Sequence, residues 1–287
     1  MQSIRKDNLL MVIFAVLIVF ITADIPKVES KKECINYVAL GDSIAAGYGL
    51  ADGESSYVDL ISEDLGARTT NLAVSGMTST ELLQMLSSGE HDEVISKADI
   101  ITISIGSNDL LKPFISRVTK AFGIENAEDI NNNVISELTK KYKNDPFLLI
   151  PVIAELNSQI VENEELYGIC KKFEVKIFPQ IISQIKVKNP DAQIIVNNIY
   201  NPYYNVSIYG LFDLGRIADS YINKINMAFS DSSKYEYVDI YKIFKENGLT
   251  NSHIDFLSLD TLSFDPHPNK DGHMMIFSAV NSKINVD

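Results

Sequence analysis

Short apolar segments alternate with segments of helical periodicity along most of this chain, and this alternation limits the folds available to it. Tyr37 to Leu40 is the first apolar segment, and Asp99 to Ile105 is apolar almost throughout. Strands of this kind are typical of a parallel sheet covered by helices on both faces. We therefore predict an α/β fold of three layers, α/β/α, around a central five-stranded parallel sheet. The predicted strands are 37–40, 68–74, 99–105, 192–200 and 237–240.

Helical periodicity fills most of the segments between these strands. Ser56 to Leu65 places its apolar residues on one face, and a capping-box pattern predicts that a second helix begins at Thr78. Phe212 to Phe229 and Asp271 to Ile284 are the last two predicted helices. Ser263 to Asn269 is predicted as a loop, because its two prolines interrupt regular structure.

The alternation stops between Leu110 and Asp191, where no segment predicts a strand. A crossover between parallel strands needs only a dozen or more residues, so this segment is several times too long. We interpret residues 111–190, approximately, as an inserted helical cap. Its predicted helices are Ala127 to Tyr142, Phe147 to Leu166, and Cys170 to Lys188 with a break at Pro179.

The N-terminal residues resemble an export signal. Arg5 and Lys6 precede an apolar run at residues 9–22, which is short for a membrane-spanning helix. We predict a signal peptide at 1–23, a polar linker at 24–33 and one domain at 34–287, in a secreted or cell-surface protein. An uncleaved leader would instead attach the protein to a membrane through residues 9–22.

Composition limits the partners of this domain. The 287 residues carry a net charge of −13 and the pI is near 4.8. An acidic chain of this kind argues against a nucleic-acid partner and against electrostatic adhesion to anionic lipid. The two cysteines, Cys34 and Cys170, are compatible with a disulfide or with two separate thiols, and neither has the spacing of a metal site.

Polar and small residues follow the ends of the first three predicted strands. Ser43 follows the first strand, Gly76 the second and Asn108 the third, while Asp265 and His267 precede the final helix. The carboxyl ends of parallel strands lie at one edge of the sheet, which is where open α/β proteins bind ligands. Acyl transfer needs a nucleophile, a base, a group that orients the base and donors for an oxyanion, and each has a candidate here.

Four sequence blocks at these positions resemble the SGNH or GDSL hydrolases, most closely the bacterial lipase/acylhydrolase branch. Their order and separation match from about residue 37 to the C-terminus, apart from the helical insertion. The blocks are Gly41-Asp42-Ser43, the segment Asn71 to Gly76, Gly106-Ser107-Asn108-Asp109 and Asp265-Pro266-His267.

The resemblance implies a flavodoxin-like fold and a serine mechanism that needs no cofactor and no metal. Ser43 would be the nucleophile, His267 the general base and Asp265 the group that orients the imidazole. The backbone N–H groups of Ser43 and Gly76, with the side-chain amide of Asn108, would form the oxyanion hole.

One departure from the family pattern concerns the orienting carboxylate. Many members place the aspartate three residues before the histidine, where this chain has Phe264, and Asp265 lies two residues before. Asp260 and Asp255 are the alternative partners for His267.

The remaining acidic and histidine residues in or near these blocks have structural interpretations. Asp42 would hold its turn through backbone hydrogen bonds, and Asp109 would do the same or cap a helix. His273 is predicted to be packed on the final helix, and His91 and His253 to be surface residues.

The sequence favours hydrolysis of a lipid or other small acyl ester but leaves the substrate open. Carbohydrate O-acetyl esters, lysophospholipids and thioesters are alternatives at the same site. Six apolar cap residues either line an acyl pocket or pack within the cap: Phe114, Phe122, Phe147, Leu148, Leu149 and Ile150. A non-catalytic envelope module that binds glycan or peptide, and a metal-dependent phosphoesterase, are rival interpretations.

Overall fold

A parallel sheet of five strands forms the centre of the computed structural model, which describes residues 34–125, 132–204, 206–208, 212–229, 233–247, 251–255 and 263–285. The described strands are β1 (Asn36–Gly41), β2 (Arg68–Asn71), β3 (Ile100–Ser104), β4 (Gln193–Asn197), β5 (Ser207–Ile208), β6 (Phe212–Asp213), β7 (Glu236–Val238), β8 (Ser252–Asp255) and β9 (Ser263–Pro268). The described helices are α1 (Tyr57–Leu65), α2 (Ser79–Ser88), α3 (Asp92–Ser96), α4 (Ser107–Ala121), α5 (Asn132–Asn144), α6 (Leu149–Ile160), α7 (Glu164–Lys172), α8 (Phe178–Lys188), α9 (Leu214–Asn226), α10 (Ile240–Asn247) and α11 (Lys270–Asn281).

The strands of the central sheet lie in the order β2-β1-β3-β4-β7, and every neighbouring pair is parallel. Counted along the chain, this is the flavodoxin-like order 2-1-3-4-5, so the predicted fold class is confirmed. The order in which strands are added reverses between β1 and β3, because β2 lies on one side of β1 and the later strands lie on the other. Ligands bind at such a switch point, and the turns that follow β1 and β3 carry Ser43 and Asn108.

Apolar residues on the two faces of the sheet pack into two separate cores. On one face Val38 and Ile101 pack beneath α2 and α8, and on the other Tyr37 and Ile100 pack beneath α1, α10 and α11. Each of these four residues is at most 2% exposed. The continuous apolar runs predicted this arrangement, because a strand covered on both faces needs apolar residues at every position.

A capping box begins each of the first two helices, and the one at Thr78 is the box that the sequence predicted. The side chain of Ser56 accepts a hydrogen bond from the backbone N–H of Asp59, and Asp59 bonds back to the N–H of Ser56. Thr78 and Glu81 form the same reciprocal pair at the start of α2. Each box satisfies backbone donors that the first helical turn leaves without a partner.

The long segment between β3 and β4 is helical, as the sequence predicted, but its last helix belongs to the sandwich. Helix α8 packs against α2 and α3, and its buried face carries Ile181, Ile182 and Ile185. We therefore assign α8 to the layer that covers the sheet and only α4 to α7 to the inserted region. A π-helical segment, Phe173–Ile177, joins α7 to α8, where the sequence predicted a break at Pro179.

The prediction that Ser263 to Asn269 is a loop was wrong. Strand β9 covers Ser263–Pro268 and pairs with β8 in an antiparallel hairpin. Prolines are tolerated in such strands at edges and bulges, where their missing N–H breaks no ladder. The sequence also missed α10, because the predicted fifth strand was extended to Ile240, which is the first residue of that helix.

The predicted leader and linker, residues 1–33, lie outside the described residues. Within the described residues, no helix has the length and apolar character needed to cross a membrane. Cys170 is a buried thiol rather than half of a disulfide.

Candidate active site

The turn after β1 presents Ser43 at the carboxyl edge of the sheet. Strand β1 ends at Gly41, where φ is 154° and a Cβ atom would lie 2.3 Å from the carbonyl oxygen of Ser104 on β3. Only glycine fits this close contact. The backbone N–H of Asp42 donates to the same carbonyl at 3.1 Å, so the chain leaves the sheet in a fixed direction. Ser43 follows and is 9% exposed.

Asp42 is structural, as the sequence predicted. Its Oδ1 accepts the backbone N–H of Ile44 at 3.1 Å, which closes the turn around Ser43. The carboxyl is fully buried, and this burial raises the pKa of Asp42 to about 7, although the hydrogen bond from Ile44 opposes the shift. A second hydrogen bond, from the backbone N–H of Ala46 to the Asp42 carbonyl, tightens the same turn.

A chain of two hydrogen bonds joins Ser43, His267 and Asp265. The Oγ of Ser43 lies 2.9 Å from Nε2 of His267, and Nδ1 of His267 lies 2.5 Å from Oδ1 of Asp265. The same Oδ1 accepts the backbone N–H of His267 at 3.0 Å. This bond holds the carboxylate against the ring edge that faces away from Ser43.

A bulge in β9 carries Asp265 and His267 and presents the imidazole to Ser43. Ser252 pairs with Pro268 and Ile254 with Phe264, which leaves residues 265–267 opposite His253 alone. Bulges bend a strand and redirect its side chains, and they are frequent beside active sites.

Two aromatic residues hold the bulge in place. The hydroxyl of Tyr200, in the loop after β4, donates to the carbonyl of Pro266 at 2.5 Å. The ring of Tyr48 packs against the His267 imidazole, with centroids 4.5 Å apart. Both contacts restrict the motion of the histidine ring.

The candidate oxyanion donors are tied to the same turn by hydrogen bonds. The backbone N–H of Val74 donates to the carbonyl of Gly41 at 3.1 Å, and the side chain of Asn71 donates to the carbonyl of Ala45 at 2.8 Å. These bonds fasten the loop after β2 to the turn of Ser43. Gly76 lies in this loop with φ of 81°, and a Cβ there would have no atom within 4 Å.

Asn108 lies in the first turn of α4 and contacts the same loop. Its Nδ2 donates to the carbonyl of Met77 at 3.1 Å, which places the amide beside the residue that follows Gly76. An Asn amide has two N–H groups, so one remains for a ligand. Asn108 is 7% exposed and lines a pocket together with Ser43 and His267. No described residue accepts the backbone N–H of Ser43.

This pocket is apolar beyond its polar rim. Its walls come from α4, α7, α9 and the loop after β4, all of which surround the carboxyl edge near Ser43. Of the six cap residues that the sequence placed in a pocket or in the cap, only Phe114 lines it. Phe147 is 77% exposed, whereas Leu149 is buried in the core. The apolar walls include Leu110, Leu111, Phe114, Leu166, Ala218 and Ile222.

The other histidines are placed partly as predicted. His273 is fully buried, its Nδ1 accepts the backbone N–H of Tyr57, and burial lowers its pKa to about 4. His91 is partly exposed before α3, as predicted. His253 is partly exposed like His91, although its Nε2 is buried and its ring lies with His267 against Gly49. Pairing of β8 with β9 brings it beside His267, and the local sequence carries no signal of that pairing.

Among the remaining acidic candidates, Asp109 has a structural role. Asp109 accepts the backbone N–H of Ser79 at 2.8 Å and its hydroxyl at 2.6 Å, so it caps the first turn of α2. Asp260 and the side chain of Asp255 lie outside the described residues. Among the side chains that are described, no group of three or more His, Cys, Asp or Glu is arranged to hold a metal ion.

A flavodoxin-like 2-1-3-4-5 sheet with a Ser–His–Asp hydrogen-bond chain at its carboxyl edge is typical of hydrolases with a three-layer α/β/α architecture. The chain belongs to the GDSL-like lipase/acylhydrolase family, whose sequence model matches residues 39–275. Members of this family hydrolyse esters, and this chain is an ester hydrolase of that class.

Two curated relatives and one solved structure cover most of the chain. The protein YpmR of Bacillus subtilis is 27% identical over 259 residues, which are 88% of this chain and 82% of YpmR. The spore germination lipase LipC of Bacillus licheniformis is 25% identical over 250 residues, 83% of this chain and 91% of LipC. The structure of an extracellular lipase from Streptomyces rimosus superposes with a TM-score of 0.58 at 17% identity, covering 88% of this chain and 100% of that one. This last likeness shows the fold.

Proposed function

We propose that this chain hydrolyses acyl esters through a covalent acyl-enzyme formed on Ser43. The observation that carries the proposal is the hydrogen-bond chain from Ser43 Oγ through His267 to Asp265, with separations of 2.9 and 2.5 Å. A serine hydroxyl is a weak nucleophile until an adjacent base takes its proton. The Nε2 of His267 lies within hydrogen-bond reach of that proton.

In the first half of the reaction Ser43 Oγ attacks the ester carbonyl while His267 takes the hydroxyl proton. Asp265 accepts the Nδ1–H, which keeps Nε2 unprotonated before attack and stabilises the imidazolium afterwards. His267 then returns the proton to the leaving alcohol. Water hydrolyses the acyl-enzyme in the second half, again with His267 as the base.

The oxyanion of each tetrahedral intermediate would be held by the N–H groups of Ser43 and Gly76 and by the side-chain amide of Asn108. The hydrogen bonds that fasten the Gly76 loop to the Ser43 turn support this arrangement, because they fix donor positions before substrate arrives. Loss of one such donor costs about 100- to 1000-fold in kcat. Asn108→Ala is therefore expected to lower kcat within this range.

The apolar pocket beside Ser43 supports a lipid ester as the substrate. Leu110, Leu111 and Phe114 form one wall, and burying each CH₂ of an acyl chain against such a wall is worth about 0.8 kcal/mol. An acetyl group would leave most of the pocket unfilled, so the pocket favours longer acyl chains over carbohydrate O-acetyl esters. Lysophospholipids and thioesters with long acyl chains fit the same argument.

The test is a panel of p-nitrophenyl esters from acetate to palmitate, with wild type and Ser43→Ala side by side. A serine-directed phosphonate followed by mass spectrometry of the peptides identifies the nucleophile. We expect hydrolysis to be lost in the variant, a single phosphonate on Ser43, and kcat/KM that rises with chain length from acetate. Turnover that Ser43→Ala leaves unchanged would exclude the serine mechanism, and an acetate-only profile would favour an O-acetylesterase.

We also propose that the protein is exported, on the basis of the basic start and the apolar run at 9–22. Cleavage after Ala23 would release a secreted enzyme, and an uncleaved leader would leave it attached to the cell surface. Mass spectrometry of the N-terminus of protein isolated from its native cells tests this proposal. Intact protein confined to the cytosol would contradict it.

A further inference from the structure

Three large apolar side chains lie exposed at the turn that connects α5 to α6, within the inserted region. The turn is a 3₁₀ segment, Pro146–Leu148, that leads directly into the helix. Phe147, Leu148 and Ile150 are 77%, 42% and 55% exposed, and we call these three residues the apolar tip. Single exposed apolar residues are ordinary on a protein surface, but a contiguous group marks a contact site.

The core does not account for the apolar tip. Helix α6 already buries its other face, and Leu149, Val152 and Ile153 are each at most 9% exposed. The start of α6 is therefore apolar on its buried face and on its exposed face. A helix of this kind needs a second apolar environment in addition to the core.

Three lysines precede the tip in a chain whose net charge is negative. Lys140, Lys141 and Lys143 are exposed at the end of α5, which packs against the 3₁₀ turn. None of the three forms an ion pair with another described residue. Asp145 is the acidic residue in the same turn, and its Oδ1 accepts the backbone N–H of Phe147, which turns the carboxylate toward the chain.

The local charge, rather than the net charge of −13, determines what binds here. Interactions between exposed charges are screened over about 8 Å at physiological ionic strength, so distant carboxylates contribute little at the tip. An exposed Phe, Leu and Ile edged by lysines is the pattern of segments that rest in the interface of an anionic bilayer.

We propose that the apolar tip docks into the surface of an anionic lipid bilayer, with Lys140, Lys141 and Lys143 on the lipid phosphates. Helix α6 packs against α4, which carries the pocket wall of Leu110, Leu111 and Phe114. Docking would therefore hold that wall of the pocket close to the lipid. The proposal does not depend on the serine mechanism, because it concerns binding alone.

The chain contains no tryptophan, so one introduced tryptophan reports on a single position. Phe147→Trp in the full-length protein is mixed with vesicles of phosphatidylglycerol and phosphatidylcholine in equal amounts, or of phosphatidylcholine alone. We expect a blue shift of the emission with the anionic vesicles, quenching by brominated lipid, and weakening of both signals by salt.

Val187→Trp is the matched control. Val187 is 79% exposed, close to the 77% of Phe147, and lies at the end of α8 that leads into β4, at the opposite edge of the sheet from Ser43. Its emission should not change with vesicles. Because both variants keep residues 9–22, attachment through the leader alone would leave both spectra unshifted.

A second variant tests the lysines. In the Phe147→Trp background, Lys140→Gln with Lys143→Gln should weaken the apparent partition into anionic vesicles about 25-fold, since each lysine contributes about fivefold. Circular dichroism and thermal denaturation verify that each variant folds. An unshifted spectrum from folded Phe147→Trp with anionic vesicles would overturn the proposal. So would a shift that depends on protein concentration without lipid, which would assign the tip to self-association.

Discussion

The carboxylate of Asp265 has two effects on His267: it orients the imidazole ring, and its charge stabilises the imidazolium. Replacing Asp265 by asparagine separates these effects. In the structure one oxygen, Oδ1, accepts both the ring Nδ1–H at 2.5 Å and the backbone N–H of His267 at 3.0 Å. An amide accepts through its oxygen alone. The backbone N–H should therefore hold the amide oxygen toward the ring in the Asp265→Asn variant, and the productive tautomer should survive.

In that case the variant loses only the stabilisation that the negative charge gives to the imidazolium. A hydrogen bond to a charged group is worth about 1.5–3 kcal/mol and a neutral one about 0.5–1.5 kcal/mol, so the imidazolium loses about 1–2 kcal/mol of stabilisation. This corresponds to a fall in kcat of about 5- to 30-fold. The side chain of Asp265 is 35% exposed, and solvent screening places the expected loss toward the lower end. An amide that turned its NH₂ group to the ring would impose the wrong tautomer and cost about 10⁴-fold, as in the serine-protease triad.

The assay is kcat for a short p-nitrophenyl ester at saturation, with Asp265→Ala and Ser43→Ala measured beside the asparagine variant. We expect Asp265→Asn to retain at least ten times the kcat of Asp265→Ala, because alanine removes orientation as well as charge. Equal and severe losses in both variants would show that the backbone hydrogen bond does not hold the amide. Wild-type activity in both would mean that another carboxylate, such as Asp255 or Asp260, orients His267.

Three further predictions concern the turn, the pocket and a buried histidine. Gly41→Ala should lower the free energy of unfolding by about 3 kcal/mol or more, because its Cβ would meet a carbonyl at 2.3 Å. The control is Gly53→Ala, where φ is 86° and no atom lies within 4 Å, so this variant adds backbone strain without a steric clash. Urea denaturation measures both variants, and an equal loss of unfolding free energy in the two would contradict the argument. Phe114→Ala should lower kcat/KM for decanoate about tenfold relative to acetate, while Phe122→Ala, outside the pocket, should leave the ratio unchanged. Burial lowers the pKa of His273 to about 4, so the unfolded chain takes up the proton first as pH falls. Between pH 7.5 and pH 5 this should remove about 2 kcal/mol from the stability difference between wild type and His273→Gln, measured by denaturation at both pH values. The comparison is made against the variant because the raised pKa of Asp42 shifts the stability of both proteins in the opposite direction over the same range.

The sheet was predictable because its signals are local. A strand buried on both faces needs an apolar run, so β1 and β3 were visible without any knowledge of their partners. The edge at which Ser43 and Asn108 meet then follows from parallel pairing. The hydrogen bonds among these residues had no local signal. Their catalytic roles remain predictions until the variants are measured.

The inserted region was predictable as helix but not in the placement of its side chains. Phe114 and Phe147 both belong to apolar segments, yet Phe114 faces the pocket and Phe147 faces solvent. Which face of a helix is covered depends on its neighbours: α4 lies against α6 and α7, and those contacts join segments distant in the chain. Periodicity identifies a helix but does not choose between packing partners.

The spacing of Asp265 and His267 illustrates the same limit at the site itself. The prolines at 266 and 268 predicted a loop, and a loop can present a carboxylate at either spacing from His267. In the structure residues 265–267 form the bulge of β9 opposite His253, so regular strand alternation does not apply to them. The bulge brings Oδ1 of Asp265 to Nδ1 of His267 and Nε2 of His267 to Oγ of Ser43. This arrangement depends on the pairing of β8 with β9, which the local sequence does not reveal.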